Sequence, residues 1–275
     1  MFLQWLYHST GFGLFDGRLF RAGIAMLLSA GLVFFLMPKY IQLLRRLDAT
    51  SDFDKNNNAK SPPIMGGALL VIIVEIVSLL TCQMNGYTIS TLMVLFLFSA
   101  VGAIDDIAKV RAKRLIALGK LKAADYMDKA DGISSSLRLG LYFLISFVVA
   151  IFCYKFIPEL KGNLTVPFCP ISIFQIHLPN WAFIGFMTFV IAATANGTNF
   201  TDGLDSLVSV PIITSMIFVG AVAYIGGNFI FSSYLHVPYL PGCDELFPLA
   251  MSIAGALLAY LWFNSPPAEI YMGDS

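Results

Sequence analysis

Amide and acidic side chains recur with a regular spacing in one short segment of this apolar chain. The segment NGTNFTDGLDS carries Asn196, Asn199, Asp202 and Asp205 at intervals of three residues. In a helical or 3₁₀ run this spacing places two amides and two carboxylates on one side. Amides orient a bound molecule, and carboxylates bind cations or accept protons. The spacing therefore favours a polar site, although any one of these acids alone is more typical of a helix cap or a solvated loop.

A second polar stretch, AIDDIAK, contains two adjacent acids and a lysine. On a helix, Asp105 and Lys109 lie four residues apart and share a face, where each holds the other in its charged form. Asp106 points about 100° away from them and is open to another partner. A further acid, Asp274, stands next to the end of the chain in the motif MGDS. Three separate segments therefore supply carboxylates.

The elements that position these residues must cross a membrane. The chain has 275 residues, of which 57% are hydrophobic and 12% charged, and its mean hydropathy is +0.77. Such values lie outside the range of soluble domains. Because lipid cannot satisfy backbone polar groups, and because the apolar stretches lack a two-residue period, these stretches predict helices. We predict an all-α, polytopic helix bundle that forms a single transmembrane domain over residues 1–275.

About seven apolar stretches have nearly the length needed to span a bilayer. Their centres lie in segments 19–36, 66–81, 89–104, 137–154, 181–195, 207–225 and 246–263. Most of the Lys and Arg residues fall in the loops after the first and third stretches. The positive-inside rule therefore places the N-terminus outside and the following segments in the cytoplasm. These segments are residues 37–65, 105–137, 196–206 and 264–275.

This topology gathers the acids of all three polar segments on the cytoplasmic face. Clustered carboxylates at the edge of a low-dielectric slab repel one another unless a cation lies between them. The histidines His8, His177 and His236 map to the outer side. An oxygen-only set of ligands without histidine favours Mg²⁺ over zinc, and it makes a carboxylate the only proton acceptor on the inner face.

Four motifs, in their order along the chain, resemble those of the polyprenyl-phosphate N-acetylhexosamine-1-phosphate transferases. They are KSPPIMGG, DDIAK, NGTNFTDGLDS and FNSPPAEIYMGD. The Pro-x-Met-Gly-Gly and Phe-Asn-x-x-Pro-Ala patterns are similar to those of the phospho-N-acetylmuramoyl-pentapeptide branch. The family pattern has about ten transmembrane helices and continues beyond the MGDS motif, so the resemblance implies a chain truncated at its C-terminal end.

The resemblance implies a magnesium-dependent transferase. The expected reaction moves phospho-MurNAc-pentapeptide from UDP-MurNAc-pentapeptide to undecaprenyl phosphate and gives lipid I and UMP, a step of peptidoglycan synthesis. The expected location is the bacterial inner membrane, with the active site on its cytoplasmic face. The expected partners are the two substrates and membrane lipids, without nucleic acid.

The same resemblance implies a role for each residue of the motifs. Asp105 would activate the lipid phosphate, Asp106 and Asp202 would support the magnesium and phosphate site, and Asp274 would bind the metal together with Asp202. Tyr271 would stack on uracil. The residues expected to bind substrate are Lys60, Lys109, Arg138, Asn196, Asn199, Gly203, Leu204, Asp205, Asn264 and Tyr271.

Three departures from the family pattern occur in the chain, the last of them in the segment KADGISSSLR. Ser206 replaces a glycine, Lys60 lies one residue closer to the following proline than usual, and Arg138 stands where a lysine is expected. The replacement of the glycine by Ser206 should have little effect on the site.

Several alternatives stay open at this stage. A UDP-GlcNAc:polyprenyl-phosphate GlcNAc-1-phosphate transferase is the alternative within the enzyme class. A cation-coupled membrane transporter that uses the intramembrane Glu75 is the alternative of another class. The motifs decide neither between a direct and a phospho-enzyme mechanism nor between a monomer and a homodimer. Cys169 and Cys243 either form a disulfide or stay as thiols, and the segment LTVPFCPISIFQIHLPNW predicts a small outer β-hairpin.

Overall fold

The computed structural model describes residues 2–47, 49, 62–117, 134–165, 175–201 and 207–274. Almost all of the regular structure in these ranges is helical, which confirms the predicted all-α fold. The helices are α1 (Phe2–Thr10), α2 (Arg18–Arg46), α3 (Gly66–Thr81), α4 (Gly86–Ala117), α5 (Ser135–Phe156), α6 (Asn180–Thr201), α7 (Ser209–Gly227), α8 (Phe229–Leu235) and α9 (Leu246–Asn264). Two short strands, β1 (Asn163–Thr165) and β2 (Gln175–His177), pair antiparallel as the predicted hairpin.

Each of the seven predicted spans corresponds to a helix. Within the described ranges, six helices are long and apolar enough to cross a membrane, and α3, with 16 residues, is a shorter apolar helix. The protein is therefore a multi-pass membrane protein. Helix α4 has 32 residues and is about 48 Å long, which exceeds the ~30 Å hydrocarbon core. Asp105 lies about 29 Å along its axis from Gly86, near the edge of that core.

Helix α9 is the central helix of the bundle, and most of it is buried, whereas most of α6 faces outward. Small residues allow this close packing. A methyl group on Gly255 would overlap the backbone carbonyl of Met26 and the hydroxyl of Ser29 in α2. The Ser29 hydroxyl also donates a hydrogen bond of 2.8 Å to the Ser252 carbonyl of α9. Helix α9 therefore fixes the position of α2, and it also packs against α3 and α7.

An ion-pair cluster ties the helices together at the end of the bundle where α2 begins, which we call the outer end. The Arg21 guanidinium donates to both carboxylate oxygens of Glu245, at 2.8 and 2.5 Å, and to the Thr81 carbonyl at 3.1 Å. The Gln83 backbone N–H donates to the same carboxylate at 2.8 Å. This cluster joins α2, the end of α3 and the turn before α9. None of the sequence motifs indicated it.

Cys243 is buried. The predicted alternatives for Cys243, a disulfide with Cys169 or a thiol, both stay open, because Cys169 lies outside the described residues. The buried Cys243 packs against Tyr87, Cys153 and Ile157 near the outer end, where it belongs to an apolar cluster.

Candidate active site

Two acids of α4 lie at the opposite end of the bundle, which we call the inner end. Asp105 and Asp106 are almost completely buried, with 0% and 1% of their surface exposed. The Lys109 ammonium lies 2.7 Å from the Asp105 carboxylate. The predicted pair with a spacing of four residues is therefore confirmed, and its local geometry follows from the helix alone.

The C-terminal acid meets this pair across a long sequence separation. The Lys109 ammonium lies 2.5 Å from Asp274, and the Arg138 guanidinium of α5 lies 3.2 Å from the same carboxylate oxygen. Arg138 also lies 3.7 Å from Asp105. From α6, the Asn199 side-chain amide donates to the other oxygen of Asp274 at 3.3 Å. Three helices and the C-terminal segment thus meet at one carboxylate.

A glycine permits the approach of Asp274 to α4. The Asp274 backbone N–H donates to the Asp106 carboxylate at 3.2 Å. Gly273 just before it has a φ of +78°, a backbone conformation that L residues seldom adopt. A methyl group on Gly273 would lie 2.7 Å from an Asp106 oxygen and 2.9 Å from the Met65 nitrogen. Glycine is therefore required here both by conformation and by space.

The segment before Gly273 pairs with the start of α3. The Gly66 and Gly67 N–H groups donate to the Tyr271 and Met272 carbonyls at 2.9 Å, and the Tyr271 N–H donates to the Pro63 carbonyl at 2.9 Å. These first N–H groups of α3 are used within the protein, so the start of α3 is an ordinary transition from loop to helix. It serves to hold the C-terminal segment in place.

In the described part of the cluster, the acids outnumber the cations. The carboxyl groups of Asp105, Asp106 and Asp274 lie beside the two cations Lys109 and Arg138. Burial acts to raise the pKa of Asp274, but hydrogen bonds to Asp105 and Lys109 and the charges of Lys109 and Arg138 outweigh it and lower that pKa. Asp274 is therefore ionised at neutral pH and can attract a cation.

Comparison with known proteins assigns the family. Residues 88–275 match the model of the family described as glycosyl transferase family 4. The chain belongs to glycosyl transferase family 4. Its curated relatives include proteins named phospho-N-acetylmuramoyl-pentapeptide-transferase, so the resemblance inferred from the four motifs is confirmed.

These transferases match nearly the whole chain. The protein of a Nitratiruptor species is 32% identical over 99% of this chain and 74% of its own length. That of Nautilia profundicola is 35% identical over 99% of this chain and 74% of its own length. That of Helicobacter pylori is 32% identical over 100% of this chain and 74% of its own length. This chain is accordingly a phosphoglycosyl transferase.

The candidate site has the donor chemistry for a hard cation. Its acids offer only oxygen atoms, which are the ligands that Mg²⁺ prefers. No group of three or more His, Cys, Asp or Glu side chains that could hold a metal ion occurs within residues 2–47, 49, 62–117, 134–165, 175–201 and 207–274. The second predicted ligand, Asp202, lies outside these ranges. The magnesium site therefore stays a prediction.

The structure brings together six of the predicted site residues. They are Asp105, Asp106, Lys109, Arg138, Asn199 and Asp274. Asn196 lies on α6 three residues before Asn199, and Tyr271 lies in the paired segment, each half-buried. Asn264 is buried, and its amide donates to the Ile270 carbonyl at 2.9 Å. The predicted site residues outside the described ranges are Lys60, Asp202, Gly203, Leu204 and Asp205.

One contact at this site involves a residue that lies outside the four sequence motifs. The Tyr40 hydroxyl of α2 donates to the Met65 carbonyl at 3.0 Å, directly before α3. The only signal in the sequence is an aromatic residue near the end of an apolar run, and such residues are common at membrane interfaces. The contact therefore had to be found in the tertiary structure.

Proposed function

We propose that the chain transfers phospho-MurNAc-pentapeptide from UDP-MurNAc-pentapeptide to undecaprenyl phosphate at the cytoplasmic face of the bacterial inner membrane. The products are lipid I and UMP. The observation that carries the proposal is the meeting of Asp105, Asp106 and Asp274 with two cations at the inner end of the bundle. A soluble nucleotide and a lipid-borne phosphate both reach such a membrane edge.

The two cations are suited to bind a diphosphate. Lys109 and Arg138 keep 32% and 23% of their side-chain surface exposed, so a ligand can reach both. Both groups donate charge-assisted hydrogen bonds, which are shorter and stronger than neutral ones. In phosphoryl transfer most of the catalytic effect comes from positioning and from charge neutralisation. Lys109 and Arg138 would therefore hold the substrate phosphates beside the acids.

Asp105 is the residue we assign to the acceptor phosphate. Its carboxylate is buried and lies 2.7 Å from the ammonium of Lys109, one of the two cations that we assign to the substrate phosphates. A carboxylate at this position can take a proton from the lipid phosphate and so increase its nucleophilicity. Asp106 supports the site by accepting the Asp274 backbone N–H, which orients the C-terminal acid.

Asp274 and Asp202 are the residues that would hold Mg²⁺. When bound, the ion would polarise the diphosphate and neutralise charge that develops on its oxygens. Among the described residues, the partly exposed Asp274 carboxylate, whose pKa is lowered by its cationic neighbours, supports this role. Asn199 and Arg138 fix the orientation of that carboxylate.

The remaining motif residues would form the nucleotide pocket. We assign the amides of Asn196 and Asn199 to polar groups of the nucleotide, and the ring of Tyr271 to stacking on uracil. The other residues to which we give a role in substrate binding are Lys60, Gly203, Leu204, Asp205 and Asn264. The buried Asn264 would contribute by shaping the turn that leads to Ile270.

The direct test is turnover by the purified full chain in detergent. The protein is incubated with UDP-MurNAc-pentapeptide, undecaprenyl phosphate and Mg²⁺, and UMP and the lipid product are measured. A parallel reaction contains EDTA, and another contains UDP-GlcNAc in place of the muramoyl substrate. We expect UMP only with the muramoyl substrate and only without EDTA. Consumption of UDP-GlcNAc alone would overturn the substrate assignment, and turnover in EDTA would overturn the magnesium assignment.

A further inference from the structure

The hydroxyl of Tyr40 lies at the start of a chain of contacts that ends at Asp274. Tyr40 is half-buried near the inner end of α2, and its hydroxyl donates to the Met65 carbonyl at 3.0 Å. Met65 has a φ of +82°, which is rare for a residue with a long side chain. Such a backbone conformation persists only where the surroundings fix it. The hydrogen bond from Tyr40 holds the carbonyl of the peptide group that joins Met65 to Gly66.

The backbone nitrogen of Met65 is also in close contact with the C-terminal segment. A methyl group on Gly273 would lie 2.9 Å from the Met65 nitrogen, so the two backbones touch at this point. The next two residues, Gly66 and Gly67, donate their N–H groups to the Tyr271 and Met272 carbonyls at 2.9 Å. The direction of those two N–H groups depends on the conformation of Met65. The position of the C-terminal segment therefore depends on Met65.

The far end of this chain of contacts is the candidate active site. Asp274 follows Gly273 directly, and its N–H donates to Asp106 at 3.2 Å. Its carboxylate lies against Lys109 and Arg138. A small rotation of the Met65 peptide would move Gly273 and, with it, the Asp274 carboxylate.

We propose that Tyr40 is a positioning residue, which holds Asp274 in its place beside Lys109 and Asp106 through the Met65 peptide and the paired segment. The proposal rests on the proposed function, because it states that the contact of Tyr40 supports turnover. Only the hydroxyl group of Tyr40 is assigned this role, since a phenylalanine ring would pack against the same apolar neighbours.

The test compares Tyr40→Phe with the matched control Tyr87→Phe in the full chain. Tyr87 lies at the outer end, and its buried hydroxyl has no hydrogen-bond partner among the described residues. Hydrogen exchange of the backbone is measured by mass spectrometry for peptides that contain residues 63–67 and 270–274. In parallel, kcat, the KM for the UDP substrate and the thermal midpoint of unfolding are measured for both variants and for the wild type.

We expect Tyr40→Phe to speed exchange of both peptides and to lower kcat by about fivefold, the equivalent of one hydrogen bond. The KM for the UDP substrate and the thermal midpoint should stay near the wild-type values, and Tyr87→Phe should change none of these quantities. An unchanged kcat would overturn the proposal, as would equal exchange in all three proteins. If the wild type shows no turnover, the proposed function fails, and the exchange measurement still decides whether Tyr40 orders the segment.

Discussion

The two ends of the bundle carry charged clusters that differ in how cations and acids pair. At the outer end, Arg21 forms a bidentate pair with Glu245, and Arg18 lies 2.7 Å from Asp244 and 3.9 Å from Asp16. At the inner end, two cations lie against the same carboxylate oxygen of Asp274. Each outer cation thus has its own nearest acid, whereas the two inner cations share one.

The shortest ion pairs of the two clusters also differ in access to solvent. The side chains of Arg21 and Glu245 are 0% and 1% exposed, whereas those of Lys109 and Asp274 are 32% and 22% exposed. A buried pair is costly to break because the remaining charge loses its partner. Accessible charged groups that share partners are typical of a binding or catalytic site. Changes at the outer end should therefore affect folding, and changes at the inner end should affect turnover.

The largest expected effect is that of Asp105→Asn on turnover. We expect kcat to fall by about 10²- to 10⁴-fold, as for the loss of a catalytic acid or base. Binding of the UDP substrate and the thermal midpoint should change little, because Lys109 keeps Asp274 as a partner. Steady-state kinetics, substrate binding and thermal unfolding in detergent measure the three quantities. An active Asp105→Asn variant would remove Asp105 from its assigned role.

The counterpart at the outer end is Glu245→Gln. It leaves the buried Arg21 guanidinium without its anion, which should lower the free energy of unfolding by about 3–5 kcal/mol. Below the new thermal midpoint, kcat should equal that of the wild type. The matched control is Glu159→Gln, which changes a half-buried glutamate outside this cluster and should cost less than about 1 kcal/mol. The comparison of the two ends fails if Glu245→Gln reduces turnover while the protein stays as stable as the wild type.

Gly273→Ala probes the inner end through the backbone. The added methyl group would lie 2.7 Å from an Asp106 oxygen at a positive φ, which should cost about 1–3 kcal/mol of local strain. We expect the strain to displace Asp274 and to lower kcat by about tenfold or more. Gly185→Ala serves as the control, because nothing lies within 4 Å of the added methyl group in α6. It should leave kcat unchanged, and a similar loss in both variants would contradict the assigned position of Gly273.

Arg18→Gln should have the smallest effect. Arg18 pairs with Asp244 at 2.7 Å, but its side chain is 34% exposed, and ion pairs near the surface contribute only about 0.2–1 kcal/mol. Thermal unfolding of this variant beside Glu245→Gln separates the two members of the outer cluster. If Arg18→Gln lowered the free energy of unfolding as much as Glu245→Gln, burial would not determine how much each ion pair contributes to stability.

Much of the fold could be predicted from the sequence, because it depends on local properties. Apolar stretches nearly long enough to span a bilayer predicted each long helix. In lipid, the backbone polar groups of such a stretch must form hydrogen bonds within the segment, as they do in a helix. The pair of Asp105 and Lys109 was predictable from a spacing of four residues. The outer cluster was not predicted from the sequence. Nothing local connects Arg21 to an acid 224 residues away.

The sequence by itself determined which segments cross the membrane, which residue types could do chemistry, and the family. These follow from hydropathy, spacing and motifs, each of which is read within a short stretch of chain. Only the tertiary structure decided that Asp274 meets Lys109 across 165 residues, and that Tyr40 reaches the peptide before α3. The reason is physical: such contacts arise from how helices pack and how a glycine at positive φ lets two backbones touch, and no short-range pattern specifies either.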